Sequence, residues 1–348
     1  MPLHPENPNL APHVLAPDLD GSGARPRTSL GVVPLRLDAN VEVKAIGEVY
    51  GLEHRIHGEG FEALLFLDQR NQRIRVLDYR AANLHAMIMQ IRSLAEANGF
   101  DKIIAMASAN DWLAFLRHGY VLEAVIRYFH QGADAYVVSK FRSQARLASS
   151  SLMSEILLIE EIMASPPKSD AGALPNDCSL RLARRDDIPR LLELYRGIFV
   201  SYPSPLVHES YLRAIFAADS LFAVCVRGNE VVAAASAEFQ PRARAAELTD
   251  CATLPELRGL GIMSALLRFL EVELVRREYL SAYTMARARS VGMNRVFYSL
   301  GYEFMGRLVN NCDIQGSFED MNIWVRSLRP TDGEAPGAPD ARAARQEA

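Results

Sequence analysis

Two Gly-Tyr pairs, Gly119-Tyr120 and Gly301-Tyr302, stand 182 residues apart in this 348-residue chain, and their surroundings read alike. Each pair ends a short helix, with Asn110 before the first such helix and Asn294 at the start of the second. Upstream of each, a long amphipathic helix leads into a strand. Downstream of each come a strand, a loop holding an aspartate (Asp134, Asp320) and a last strand. A supersecondary pattern met twice at this distance predicts an internal duplication: one unit of helices on a mixed sheet, an α/β (α+β) class, built twice in tandem.

Proline marks the borders. Of 18 prolines, 7 lie in residues 1–34, 3 in 166–175 and 3 after 329. Residues 1–28 and 329–348 combine Pro, Gly and charge without apolar periodicity, which predicts disordered tails. Between them the chain divides into a first unit (29–148), a helix and proline-rich linker (149–177) and a second unit (178–328). Helical spacing is strongest at Leu84, Met87, Ile88, Ile91, Leu94 and again at Met263, Leu266, Leu267, Leu270, Leu274. With 38 basic and 42 acidic residues the chain has no general attraction for nucleic acid or an anionic membrane, so neither is expected as a partner. The four cysteines form no CxxC pair and have no histidine at ligand spacing, so no metal is expected and the thiols read as reduced. The start lacks the basic and apolar regions of a secretory leader, and no apolar run approaches ~20 residues. The expected location is cytoplasmic; monomer and homodimer both stay open.

The stretch Glu247–Leu267 carries chemistry. A strand ends near Thr253, a short loop holds Arg258, Gly259 and Gly261, and a helix starts at once. Glycines let a backbone approach a phosphate, and the helix N-terminus adds open amides and partial positive charge. Arg258 adds a fixed charge at the loop mouth. The first unit has the same helix and strand order, but its equivalent segment, Asp78 to Leu84, contains no glycine. It is therefore expected to be a degenerate copy that binds no such ligand, packs on the second unit and shapes its cleft.

Residues 179–328 resemble the GNAT superfamily of N-acetyltransferases, whose Arg/Gln-x-x-Gly-x-Gly/Ala loop binds the pyrophosphate of acetyl-CoA. Arg258-Gly259-Leu260-Gly261-Ile262-Met263 follows that pattern until Met263 replaces its small last residue. A closer resemblance, covering about 45–328, is to the β-lysine N-acetyltransferase group. It rests on the stretches 246–255, 308–312 and 316–322, and in the first unit on 119–124 and 134–141. The resemblance implies direct acetyl transfer from acetyl-CoA, a cosubstrate needing no metal, to a small-molecule amine. The ε-amine of β-lysine comes first, its N-acetyl product being a compatible solute. Acetylation of a protein terminus or lysine, or a non-catalytic acetyl-CoA sensor, stay open, the last because of Phe297 and Met263.

The same resemblance assigns cofactor contacts to Cys251, Ala252, Thr253, Arg258, Gly259, Leu260, Gly261, Ile262, Met263, Ser264 and Asn294. Backbone amides around Cys251–Thr253 would stabilise the carbonyl oxygen. Glu247, four residues before Cys251, stands where relatives keep a base. Asp250, the other acid of the strand and expected on the opposite face by alternation, is a candidate to hold the substrate ammonium, its other reading being a hydrogen-bonded β-bulge aspartate. Tyr298 is a possible acid, one place beyond the family's tyrosine position, which is Phe297 here. A zwitterionic acceptor needs both charge signs, for which Glu238, Arg287 (or Arg289), Asn310, Asn311, Asp320 and Asn322 are candidates at strand ends.

Overall fold

The computed structural model describes residues 32–38, 41–46, 51–167, 174–199, 204–217 and 220–329. Segment 1–28, residues 330–348 and the middle of the 149–177 linker lie outside the described residues, and with them the expectation of disordered tails.

The first half runs β1 (Val32–Arg36), β2 (Glu42–Ile46), β3 (Leu52–Gly58), β4 (Phe61–Asp68), β5 (Arg73–Ala81), α1 (Leu84–Ala97), β6 (Lys102–Ala107), α2 (Trp112–Arg117), β7 (Val121–His130) and β8 (Ala133–Phe141). Helices α3 (Gln144–Leu147) and α4 (Leu152–Ala164) follow. The second half runs β9 (Cys178–Leu182), α5 (Ile188–Ile198), α6 (Glu209–Ala217), β10 (Ser220–Arg227), β11 (Glu230–Gln240) and β12 (Ala245–Thr253). Then come α7 (Ile262–Arg276), β13 (Ser281–Arg287), α8 (Val291–Ser299), β14 (Glu303–Ile314) and β15 (Ser317–Ser327).

Strands β1 and β2 pair only with each other; the remaining thirteen described strands form one sheet, β3-β4-β5-β6-β8-β7-β14-β15-β13-β12-β11-β10-β9. The order β4-β5-β6-β8-β7 is repeated as β11-β12-β13-β15-β14, each half with one parallel pair, β5 with β6 and β12 with β13. The duplication read from the Gly-Tyr pairs is thus a duplication of topology. Both closing hairpins turn through a Gln-Gly pair, Gln131-Gly132 and Gln315-Gly316, with positive φ at both residues. Because the turns are that short, Asp134 and Asp320 lie inside β8 and β15, not in loops. Sequence patterning also passed over β1, β2, β3 and α3.

The halves meet through equivalent strands. β7 and β14 pair antiparallel at Ala124 and Gly306, each five residues beyond its Gly-Tyr glycine, so an approximate two-fold axis passes through that contact. Gly306 permits the approach: at φ 137°, a Cβ there would stand 2.3 Å from the Glu123 carbonyl oxygen. Beyond it, side chains of the first half grip the β14 backbone. Lys102 donates to the Val309 carbonyl at 2.8 Å and ion-pairs with Glu123 at 2.8 Å, while Glu123 accepts from the Val309 amide at 2.7 Å. Arg73 donates to Asp68 at 2.7 Å and to the Asn311 carbonyl at 2.9 Å. These charges are buried, so each depends on its partner being present.

Core formation follows the apolar periodicities. Met87, Ile88, Ile91 and Leu94 of α1 pack on β4–β6, and Leu266, Leu267, Leu270 and Leu274 of α7 pack with α4 and α8 on the second half. Helices α5 and α6 cover the other face of the second half with Ile188, Leu191, Tyr195 and Leu212.

Candidate active site

Parallel strands β12 and β13 pair only over Ala245–Glu247, opposite Ser281–Tyr283, and then diverge. From Leu248 to Thr253 the strand keeps a neighbour, β11, on one side only, leaving backbone groups unpaired on the other. This edge opens into a cavity of about 1350 Å³. At one end of the cavity lies the glycine loop. Gly259 and Gly261 have φ of 82° and 81°, and no atom lies within 4 Å of where a Gly259 Cβ would stand. Gly261 begins α7 without a side-chain cap, so the first-turn amides stay open to a ligand. Arg258, tied by its Nε to the Thr253 carbonyl at 3.2 Å, lines this end with Arg268 and Arg295; among the described residues none of the three is in an ion pair.

Open amides, two glycines without side chains and three cations outside any ion pair among the described residues fit a cosubstrate that carries several phosphates. All ten loop and strand residues expected at the cofactor, from Cys251 to Thr253 and from Arg258 to Ser264, line the cavity. Met263 lies beneath the first turn of α7, packed into the core, so its bulk leaves the amides clear. In the first half, two residues separate β5 from α1 where eight separate β12 from α7, and Asn83 caps the helix by accepting from the Ala86 amide at 3.1 Å. The first half therefore lacks the long glycine-bearing connection and the uncapped helix start of the second.

Glu238 and Glu247 are cross-strand neighbours on β11 and β12, and both line the cavity. Burial, and then the like charge of Glu238, push the Glu247 carboxyl up to about 7. Burial likewise raises Glu238. The buried Tyr283 hydroxyl lies against Glu247 without reaching a full hydrogen bond. Asp250 does not take the opposite face. It sits in a β-bulge at φ 54°, which interrupts the alternation, and it too lines the cavity while accepting from Ser236 Oγ at 2.7 Å.

Several expected site residues are elsewhere. Tyr298 points away from the cavity and donates to the Met163 carbonyl of α4 at 3.0 Å, whereas Phe297 lines the wall. The one-residue offset rotates Tyr298 ~100° about the helix. Asn294 lies within α8, fully buried. Its Nδ2 donates to three carbonyls, of Arg287, Ala288 and Ser290, and its Oδ1 accepts from Trp324 at 2.8 Å and from Asn322 at 2.9 Å. Asn294 and Asn322 are both fully buried, and neither lines the cavity. Asn310 ties down α3 through the Ala145, Arg146 and Ala148 carbonyls, and its amide donates to Asp320. Asn311 and Asp320 are buried in the join between the halves. Arg287 does line the cavity, but Glu319 neutralises it through two hydrogen bonds of 2.8 and 2.7 Å.

The first half supplies what sequence reasoning missed. Glu53, Phe66, Arg73 and Arg75 form the wall facing Glu238 and Glu247, and Tyr211 of α6 completes it. The expected cleft-shaping role of the copy was the only signal for them; no motif marks Arg75. Among the described residues, no cluster of three or more His, Cys, Asp or Glu side chains suits a metal ion, and no helix is long and apolar enough to cross a membrane.

A family model described as acetyltransferase (GNAT) family matches residues 188–302. The chain is similar to N-acetyltransferase YodP of Bacillus subtilis, 33% identical over 273 residues that cover 78% of this chain and 98% of that protein. It is also similar to the β-lysine N(6)-acetyltransferase of Methanosarcina mazei, 36% identical over 230 residues, 60% of this chain and 85% of the relative. A protein of the same name from Methanococcus maripaludis is 28% identical over 76% of this chain and 96% of its own length.

Proposed function

The chain belongs to the GNAT acetyltransferases and is an acetyl-CoA-dependent N-acetyltransferase of amines; from that premise we propose that its acceptor is the ε-amine of β-lysine, giving N-acetyl-β-lysine as a compatible solute. The observation that carries this reading is the cavity. It runs from the glycine loop to a compact acidic recess whose far wall is the first half, a shape suited to a small charged amine. A polypeptide acceptor calls for an open groove, whereas Arg73, Arg75 and Leu77 of β5 line this cavity. The relatives named for β-lysine support the same acceptor.

Bound acetyl-CoA supplies a thioester already activated toward an amine. The amides between Cys251 and Thr253 that face away from β11 are suited to hold the thioester oxygen. An alkyl ammonium has a pKa of ~10.4 and must lose a proton before it attacks, so the site needs a base that works near neutral pH. Glu247, raised to about 7, has that basicity and faces the cavity beside the diverging strands. Glu238 keeps the basicity of Glu247 high and offers the incoming ammonium a carboxylate. Asp250 serves the shape of the strand, its carboxylate holding Ser236 across the bulge. Burial pushes the Cys251 thiol well up, so it stays protonated and is unsuited to forming an acyl-enzyme. Thiol release from acetyl-CoA tests the acceptor: turnover with free β-lysine at least tenfold more efficient than with lysine-containing peptides is expected, and turnover with peptides alone would refute it.

A further inference from the structure

The two halves place equivalent rows of side chains face to face. In the second half the row Ser220, Glu238, Glu247, Tyr283 runs across β10, β11, β12 and β13. In the first half Glu53, Phe66, Arg75, Ile104 runs across β3, β4, β5 and β6 in the same register. Arg75 stands two residues into the parallel pairing of β5 with β6, as Glu247 does in that of β12 with β13. The first three members of both rows line the one cavity. The copy has therefore kept the geometry of the working row but carries a guanidinium where the other half carries its carboxylate.

Arg75 is also the cation left over. Of the six arginines lining the cavity, Arg258, Arg268 and Arg295 stand around the glycine loop. Arg73 is held by Asp68 and the Asn311 carbonyl, and Arg287 by Glu319. Arg75 has no ion-pair partner within 4 Å among the described residues, yet it lies within electrostatic reach of Glu238, Glu247 and Tyr211. An amino-acid acceptor brings an amine to be acetylated and, at its other end, a carboxylate that loses its water inside the cleft. A guanidinium fork matches that group with two hydrogen bonds.

We infer that Arg75 of the first half binds the carboxylate of the acceptor and so selects amino acids over plain diamines. This rests on the proposed small-molecule acceptor, and makes the degenerate half a specificity element. The test compares acceptors with and without a carboxylate, β-lysine and lysine against 1,5-diaminopentane, by thiol release in wild type, Arg75→Gln and Arg75→Lys. Losing a charge-assisted pair lowers kcat/KM for the amino acids ~10- to 100-fold in Arg75→Gln, mainly through KM. The diamine, compared on the pH plateau above the limb set by Glu247, is expected to stay within threefold of its wild-type value, and Arg75→Lys to recover part of the loss. Equal losses on both acceptors, with the acid limb of the pH profile moved upward, would mean that Arg75 serves only the charge of Glu247. No loss on either would equally overturn the inference, as would a wild-type enzyme that takes no carboxylate-bearing amine. If wild type rejects β-lysine but accepts lysine, the β-lysine reading fails while the comparison at Arg75 still stands.

Discussion

Gly306 is the position where the contact between the halves can be tested most directly. A Cβ added there would lie 2.3 Å from the Glu123 carbonyl oxygen, 2.6 Å from Ala124 Cα and 2.8 Å from Ala124 Cβ. Two of the three are backbone atoms, so no rotamer change relieves the clash, and β7 has to retreat from β14 by roughly an ångström to restore ordinary contact. Overpacking of this kind costs about 1–3 kcal/mol. The residue also sits at φ 137°, outside the range L residues adopt freely, which adds about 1–3 kcal/mol. Gly306→Ala is therefore expected to destabilise the protein by about 2–6 kcal/mol, read as a lower urea midpoint at unchanged m. The displaced β7 carries β5 with it through β8 and β6, so the wall bearing Arg75 moves away from Glu247. KM for the acceptor should rise while KM for acetyl-CoA, whose loop belongs to the second half, stays level. Removing the facing methyl group in an Ala124→Gly, Gly306→Ala pair should not rescue stability, because the backbone clashes remain. An unchanged midpoint, rescue by Ala124→Gly, or equal changes in both KM values would refute the reasoning.

Three further outcomes bear on the chemistry. If Glu247 is the base it must work deprotonated, so kcat/KM should climb with pH up to about 7, not level off near its ordinary 4.5; Glu247→Gln should abolish that limb and lower kcat ~10²- to 10⁴-fold. Glu238→Gln removes a like charge and should move the limb to lower pH, and a pH–rate series that leaves it unmoved would contradict the pairing. Tyr298→Phe should leave kcat within twofold at all pH values and cost about 1 kcal/mol of stability for the lost bond to Met163, a split that kinetics and thermal melts resolve.

Much of the architecture was legible because its causes are local. The apolar spacing of Leu266, Leu267, Leu270 and Leu274 needs only the helical repeat, and α7 forms with those residues inside. The turn chemistry around Arg258, Gly259 and Gly261 likewise depends on neighbours a few residues away, and the loop lines the cavity throughout. Alternation along β12 read well as far as Thr249 and failed at Asp250, since a bulge is set by the partner strand's register. Asn294, Asn322 and Tyr298 stand away from the cavity for a related reason. A polar side chain near a strand or helix end can serve a ligand or the fold, and which one depends on what stands opposite it. For Asn294 and Asn322 that was the buried Trp324 indole and Arg307; for Tyr298, a carbonyl of the linker helix α4.

The chain's own order of residues was enough to point to two tandem units of one topology, with a glycine loop between strand and helix in the second that the first lacks. Those follow from periodicity, glycine placement and spacing, which act over a turn or two of chain. Long-range packing built the end of the cavity away from the glycine loop. The antiparallel meeting of β7 with β14 brings Arg75 across from Glu247, and burial beside Glu238 gives that carboxyl its basicity. Neither effect has a local signature, because a charge is tuned by whatever the fold sets near it, and here that neighbour comes from the other copy.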